Sequence, residues 1–172
     1  MPEAKHRHGA WPDATGHTHF ALWAPDAKRV AVKLHDNSQH EMTASAEGWY
    51  TATLPVAAGT DYHYLIDEHL LVPDPASRWQ ANDVHGPSRV ADPSRYKWRS
   101  TDWQGRPWQE TVLYELHVGA LGGYQAVEAR LQELADLGVT AIELMPLGEF
   151  PGGRNWGYDG VLPFAPDSSY GT

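Results

Sequence analysis

The sequence predicts a multi-domain chain of two unlike parts, a small antiparallel β-sandwich followed by an α/β segment. Three observations predict it. In the first half, apolar and polar residues alternate with period two, in short runs separated by turn-forming residues. In the second half, two apolar runs flank a stretch with helical periodicity. Between the halves the chain is polar and irregular, broken by Pro73, Pro75, Pro87, Pro93 and Pro107.

The sandwich strands come first. His19 to Trp23, Val30 to His35, Trp49 to Leu54 and Tyr62 to Asp67 alternate as strands with one buried face do. Ala24-Pro25-Asp26, His35 to Ser38, Ala46-Glu47-Gly48 and Ala57 to Thr60 supply the turns between them. Residues 1–92 are assigned to this sandwich and residues 93–108 to a linker. The irregular stretch from residue 73 to 108 is expected to pack along both neighbours, anchored by Trp79, Tyr96, Trp98, Trp103 and Trp108.

The grammar changes over residues 109–172. Thr111 to Val118 reads as a buried parallel strand and Gly119 to Gly123 as a loop. Tyr124, Val127, Leu131, Leu134 and Leu137 recur at helical spacing, with Glu128, Arg130, Glu133 and Asp136 on the opposite face. Gly138 stands where a left-handed helix end favours glycine. Val139 to Met145 forms a second strand, stopped by Pro146, which completes a βαβ unit. A sandwich followed by such a unit is the pattern of an accessory domain before a barrel or a doubly wound sheet. A full (β/α)8 barrel needs about 250 residues, so the α/β part is expected to be the opening of a larger, truncated domain.

Composition excludes several functions. The chain carries 22 Asp and Glu against 13 Lys and Arg, a net charge of −9. That balance disfavours a nucleic-acid groove or an anionic membrane surface, so neither partner is expected. There is no cysteine, hence no disulfide, thiolate metal site or cysteine nucleophile. No apolar run approaches the roughly 20 residues that span a bilayer, and the opening residues lack the apolar middle of a signal peptide. A cytoplasmic location is expected. Leu, Ile, Val and Phe make up under a fifth of the chain, whereas there are 8 Trp and 8 Tyr. Most of those aromatic side chains are therefore expected in the sandwich core and the linker anchors, with a few left to stack on sugar rings. His6/His8 and His17/His19 have metal-like spacing, but no cysteine or carboxylate cluster joins them, and no metal or other cofactor is expected.

Several segments carry a resemblance. Val112 to Gly119 is similar to the first barrel strand of the alpha-amylase superfamily, and Leu137 to Pro146 to its first helix end and second strand. Asn155-Trp156-Gly157-Tyr158-Asp159-Gly160 follows where those enzymes carry a similar segment. Leu22-Trp23-Ala24-Pro25-Asp26-Ala27 resembles the N-terminal sandwich of branching and isoamylase-type enzymes. Val72 to Arg78, Asp83 to Val90, Ala165-Pro166 and Ser169-Tyr170-Gly171 are most similar to the maltooligosyltrehalose trehalohydrolase family within that superfamily. One departure is the short Gly119–Gly123 segment, which is longer in the family. The resemblance implies an immunoglobulin-like β-sandwich and the truncated start of a (β/α)8 TIM barrel. It implies a parent protein that is a retaining glycoside hydrolase, acting on α-glucan or maltooligosyltrehalose to release trehalose. Branching or debranching enzymes, and a non-catalytic carbohydrate-binding module, are the alternatives.

Retaining hydrolysis needs a carboxylate nucleophile and a carboxylic acid. The resemblance places both on later barrel strands, beyond residue 172, so Glu115, Glu143, Glu149, Asp159 and Asp167 are not candidates and the chain alone is expected to be inactive. Glu115 and Glu143 are instead expected to satisfy buried partners. It implies that Tyr158 stacks on the sugar beside the cleaved bond, or else packs its loop. Asp159 either accepts sugar hydroxyls or caps a turn. Trp156 either floors the pocket or fills a gap between loops. His117 either lies beneath the sugar or is an interior, hydrogen-bonded histidine. Trp23, Trp49 and Tyr50 either bind glucan or fill the sandwich, and Gly86 to Arg89 is read as an interdomain joint with Arg89 available to a carboxylate or to backbone carbonyls.

Overall fold

The fold is that of a computed structural model, which describes residues 8–171. His6 and the other opening residues, read above as lacking the apolar middle of a signal peptide, lie outside the described residues. The first part contains β1 (Gly9–Pro12), β2 (Thr18–Trp23), β3 (Val30–Leu34), β4 (Gln39–Glu41), β5 (Thr43–Ala44), β6 (Trp49–Leu54), β7 (Asp61–Ile66), β8 (Leu70–Val72) and β9 (Ser88–Arg89). One antiparallel sheet runs β1-β2-β6-β5. The other runs β4-β3-β7-β8, with β9 also paired to β7.

The two sheets enclose one core. Period-two alternation points Phe20 and Leu22 of β2, Val30 and Val32 of β3, Tyr50 of β6, and Tyr62 and Tyr64 of β7 into it. Phe20 meets Tyr62 edge-on at 5.0 Å, and Tyr62 meets Tyr64 at 5.8 Å. The four alternating runs became β2, β3, β6 and β7. The strands not anticipated (β1, β4, β5, β8 and β9) are two to four residues long, too short for alternation to register.

Part of the irregular stretch belongs to the sandwich. Asp74 is fully buried and accepts from the hydroxyls of Tyr62 at 2.6 Å and Tyr64 at 3.3 Å. Its other oxygen accepts from Ala76 N at 2.8 Å. The Ser88 hydroxyl accepts from Asp74 N and donates to Gln80 Oε1, tying β9 to the same network. Arg89 Nε donates to Asp61 at 2.5 Å, a second bond links the same two side chains, and the guanidinium lies over Trp79.

The second part contains β10 (Leu113–Leu116), α1 (Val118–Leu121), α2 (Tyr124–Leu137) and β11 (Ala141–Leu144). β10 and β11 pair in parallel, Leu113 opposite Ala141 and Glu115 opposite Glu143. Helix α2 spans the periodic residues and ends on Gly138 at φ 101°, as its sequence predicts. β12 (Gly148–Glu149) and β13 (Leu162–Pro166) follow as an antiparallel pair. Leu116, Val118, Val127, Phe150 and Tyr170 form a second core.

Five expectations are corrected. The Gly119–Gly123 segment is not wholly loop: Val118–Leu121 makes one helical turn, capped by the His117 side chain. The aromatic residues are divided differently from expectation. Tyr50, Tyr62, Tyr64 and Tyr170 are buried, but none of the 8 Trp is. Tyr96, Trp98, Trp103 and Trp108 are exposed and do not anchor the linker; only Trp79 is partly covered. In the sandwich core each buried tyrosine hydroxyl has a partner, Tyr50 on Ala27 O and Tyr62 and Tyr64 on Asp74, whereas the Tyr170 hydroxyl in the second core has none. β10 is shorter than its apolar run and exposes Val112, Leu113 and Tyr114, because among the described residues it pairs with β11 alone. Glu115 and Glu143 are exposed rather than satisfying buried partners.

Candidate functional site

The sequence-predicted residues gather where the chain leaves β10 and β11. His117 follows β10 directly and caps α1. The segment after β11 passes Met145 and Pro146 and forms β12, and the loop between β12 and β13 carries Asn155, Trp156, Tyr158 and Asp159. A cleft of about 710 Å³ lies between the two, with His117, Met145, Arg154, Asn155, Trp156 and Asp159 among its lining residues.

Three of the four candidate residues therefore share one cleft. Tyr158 does not line it; the chain turns at Gly157, and the Tyr158 side chain is 71% exposed. Trp156 is 80% exposed and is not packed as a gap filler. His117 is half-buried. Its Nδ1 accepts from Ala120 N at 3.0 Å and its Nε2 lies 2.6 Å from the Asn155 carbonyl oxygen. With Nδ1 an acceptor, the proton sits on Nε2 and is donated to that carbonyl. The ring also meets Tyr170 edge-on at 5.8 Å. Asp159 is exposed in the cleft and forms no turn cap.

The loop backbone is pinned locally. Asn155 Oδ1 accepts from Gly157 N. Gly157 adopts φ 95°, and a Cβ there would lie 3.0 Å from the Pro146 carbonyl oxygen. Two buried carboxylates hold the β12–β13 region. Glu149 accepts from Ser168 N at 2.8 Å and Ser168 Oγ at 2.9 Å. Asp167 accepts from Phe150 N at 3.2 Å and Ser169 N at 2.9 Å. Burial, with lesser help from Asp167 and Asp83, pushes the Glu149 carboxyl up from its ordinary value. Burial also pushes the Tyr124 hydroxyl up to about 12. Neither carboxylate lines the cleft, so both are structural.

Arg154 was missed by sequence reasoning. It brings a cation to the cleft that holds Asp159, and its only sequence signal is its place after Gly152-Gly153 in a polar loop. No group of three or more His, Asp or Glu among the described residues is arranged to hold a metal ion. No helix among the described residues is long and apolar enough to cross a membrane.

On the outer face of the sandwich, Trp23 and Trp49 are register partners across β2 and β6. Trp23 is 55% exposed and donates from Nε1 to Glu47 O. His8 packs on Trp49 at 4.5 Å. Tyr50 points inward and donates to Ala27 O at 2.6 Å, so it belongs to the core. The segment read as an interdomain joint lies within the sandwich, since β9 pairs with β7 and Arg89 bonds Asp61 of that same sheet; between the two parts, Gly152 N donates to Asp83 Oδ2 at 2.8 Å.

Comparison with known proteins adds the following. The family profile of carbohydrate-binding module 48 (isoamylase N-terminal domain) matches residues 7–114. The malto-oligosyltrehalose trehalohydrolase of Saccharolobus solfataricus is 41% identical over 156 residues, which is 88% of this chain and 28% of that protein. The 1,4-alpha-glucan branching enzyme GlgB of Ralstonia nicotianae is 34% identical, over 88% of this chain and 24% of its own length. The crystal structure of a putative alpha amylase from Salmonella typhimurium superposes with a TM-score of 0.91 at 46% identity, covering 96% of this chain and 29% of the other. The chain thus spans less than a third of the length of these relatives.

Proposed function

This chain belongs to the carbohydrate-binding module 48 (isoamylase N-terminal domain) family, and from that premise we propose that it is the N-terminal part of a retaining α-glucoside hydrolase that releases trehalose from maltooligosyltrehalose. The observation that carries the reading is the 41% identity to a trehalohydrolase across nearly nine-tenths of this chain, against 34% for a branching enzyme. In this reading residues 1–92 are the accessory sandwich, 93–108 the linker and 109–172 the start of a (β/α)8 barrel. The parallel β10–α2–β11 unit supports the last assignment.

The cleft lies at the C-terminal ends of β10 and β11, the end at which (β/α)8 barrels place their active sites. Tyr158 offers an exposed aromatic face to a sugar ring, and Trp156 a second one beside the cleft. Asp159 and Arg154 supply an acceptor and a donor for sugar hydroxyls. The nucleophile and the acid belong to strands beyond residue 172, so residues 1–172 bind and orient without cleaving. The absence of cysteine suits a reducing, cytoplasmic compartment.

The decisive experiment extends the reading frame past Thr172 and supplies maltooligosyltrehalose. Trehalose release by the long protein, and none by residues 1–172, is the expected result. Transfer of glucan branches without trehalose release would replace the reading with a branching enzyme. A second reading, glucan binding by the sandwich itself, is favoured by the exposed Trp23 beside Trp49. Retardation of the chain in a glycogen gel, abolished by Trp23→Ala, would support it.

A further inference from the structure

His117 and the loop bearing Trp156 and Tyr158 are 38 residues apart in sequence, yet one short hydrogen bond joins them. We propose that His117 is a positioning residue that holds the Asn155–Tyr158 loop in place, rather than a residue that meets a ligand. Both ring nitrogens are already engaged. Nδ1 accepts the Ala120 amide that begins α1, and Nε2–H donates to the Asn155 carbonyl at 2.6 Å. A neutral imidazole has one donor and one acceptor, so no hydrogen-bonding capacity is left for a sugar hydroxyl.

The bond does more than satisfy two groups. It clamps the backbone at Asn155, the same residue whose side chain accepts from Gly157 N. Gly157 in turn is wedged at positive φ against Pro146, just past β11. The loop is thus bonded at β10 through His117 and runs close against Pro146 just past β11, while Trp156 and Tyr158 between and beside these points stay exposed. A platform ordered before binding avoids the entropy cost of ordering it on binding. That the platform receives sugar rests on the function proposed above; the clamp itself does not.

Two substitutions separate the two nitrogens. His117→Asn keeps an acceptor near the Nδ1 position and cannot reach Asn155 O. His117→Gln places its amide N–H near the Nε2 position and loses the cap. His117→Ala removes both bonds and sets the scale. The readouts are exchange of the Gly157 amide and the fluorine signal of 5-fluorotryptophan at position 156, assigned by Trp156→Phe. Exchange is expected to accelerate about tenfold in the Asn and Ala variants and to stay within about threefold in the Gln variant. The fluorine signal should sharpen and move toward its free position in the first two alone. Equal behaviour of Asn and Gln variants, or no change in the Ala variant, would overturn the clamp; should Asn fail to fold, the Gln and Ala pair decides in the same way. Maltohexaose added to the unsubstituted chain should shift the fluorine signal. If it does not while the Asn and Gln variants still differ, the sugar-platform reading falls and the clamp stands.

Discussion

The Asp74 carboxylate accepts the Tyr62 hydroxyl at 2.6 Å with no exposure to solvent. It thereby fastens the segment after the last long strand to the centre of the sandwich core. Tyr64 donates to the same oxygen, and Ser88 holds the Asp74 backbone from the other side.

Replacing Asp74 by alanine leaves two buried tyrosine hydroxyls and the Ala76 amide without their acceptor. The expected cost is about 3 kcal/mol of unfolding free energy, read from urea denaturation followed by tyrosine absorbance. A loss near zero would mean that water or a neighbour takes over the network.

The same carboxyl sets a pH signature. Burial raises it above its ordinary value, against the opposing bonds from Tyr62, Ala76 and Tyr64. A raised folded-state pKa means that the folded chain binds the proton more tightly than the unfolded one. Its contribution is therefore complete below the ordinary carboxylate range and lost as pH rises through the raised value. Glu149 acts in the same sense. Partly exposed Asp67, lowered by the Arg29 and Lys28 amides, acts in the opposite sense and loses its contribution as pH falls. Asp74→Asn is expected to flatten the alkaline-side decline of stability and leave the acid side alone. The check is a set of denaturation curves spanning the carboxylate range to neutrality.

Gly119 has no room for a side chain. A Cβ there would lie 2.5 Å from Tyr170 Cε1 and 3.1 Å from the His117 ring. Gly119→Ala should displace Tyr170 from the second core and cost about 2 kcal/mol. Calorimetry would register it, with loss of near-ultraviolet dichroism from the second part.

Glu115 and Glu143 stand side by side on the parallel strands, both exposed. Like charges in register repel. Glu143→Gln should raise the melting temperature slightly at low salt, and the gain should vanish in 1 M sodium chloride. A gain unaffected by salt would have a cause other than charge.

In the longer protein, Tyr158→Ala should lower kcat/KM for maltooligosyltrehalose about tenfold, the loss of one aromatic contact of about 1.4 kcal/mol. Tyr158→Phe should retain most of it. An Ala variant with unchanged kcat/KM would return Tyr158 to a packing role.

Much of the fold was legible because its signals are local. Alternation in Val30 to Leu34 and Asp61 to Ile66, helical spacing from Tyr124 to Leu137, and Gly138 after it each read out a backbone preference over a few residues. The short strands were not legible, since β5 and β9 consist of two residues each and exist only because β6 and β7 offer free edges. The site was half legible. The segment carrying Trp156, Tyr158 and Asp159 stands out in the sequence by resemblance. Arg154 does not, and the part played by His117 cannot be read from its neighbours at all.

By itself the sequence determined the order of sheet, irregular stretch and βαβ unit, along with the acidic, cysteine-free character of the chain. The tertiary structure decided which aromatics are inside, placing Tyr62, Tyr64 and Tyr170 in the two cores and leaving every tryptophan at least partly exposed. It also gave the His117 ring a hydrogen-bond partner, the Asn155 carbonyl, 38 residues away in the chain. The physical reason is the same in both cases. Burial and hydrogen-bond partnership are decided by residues distant in the chain, and a periodic pattern records only which side of an element a residue occupies, not what it finds there.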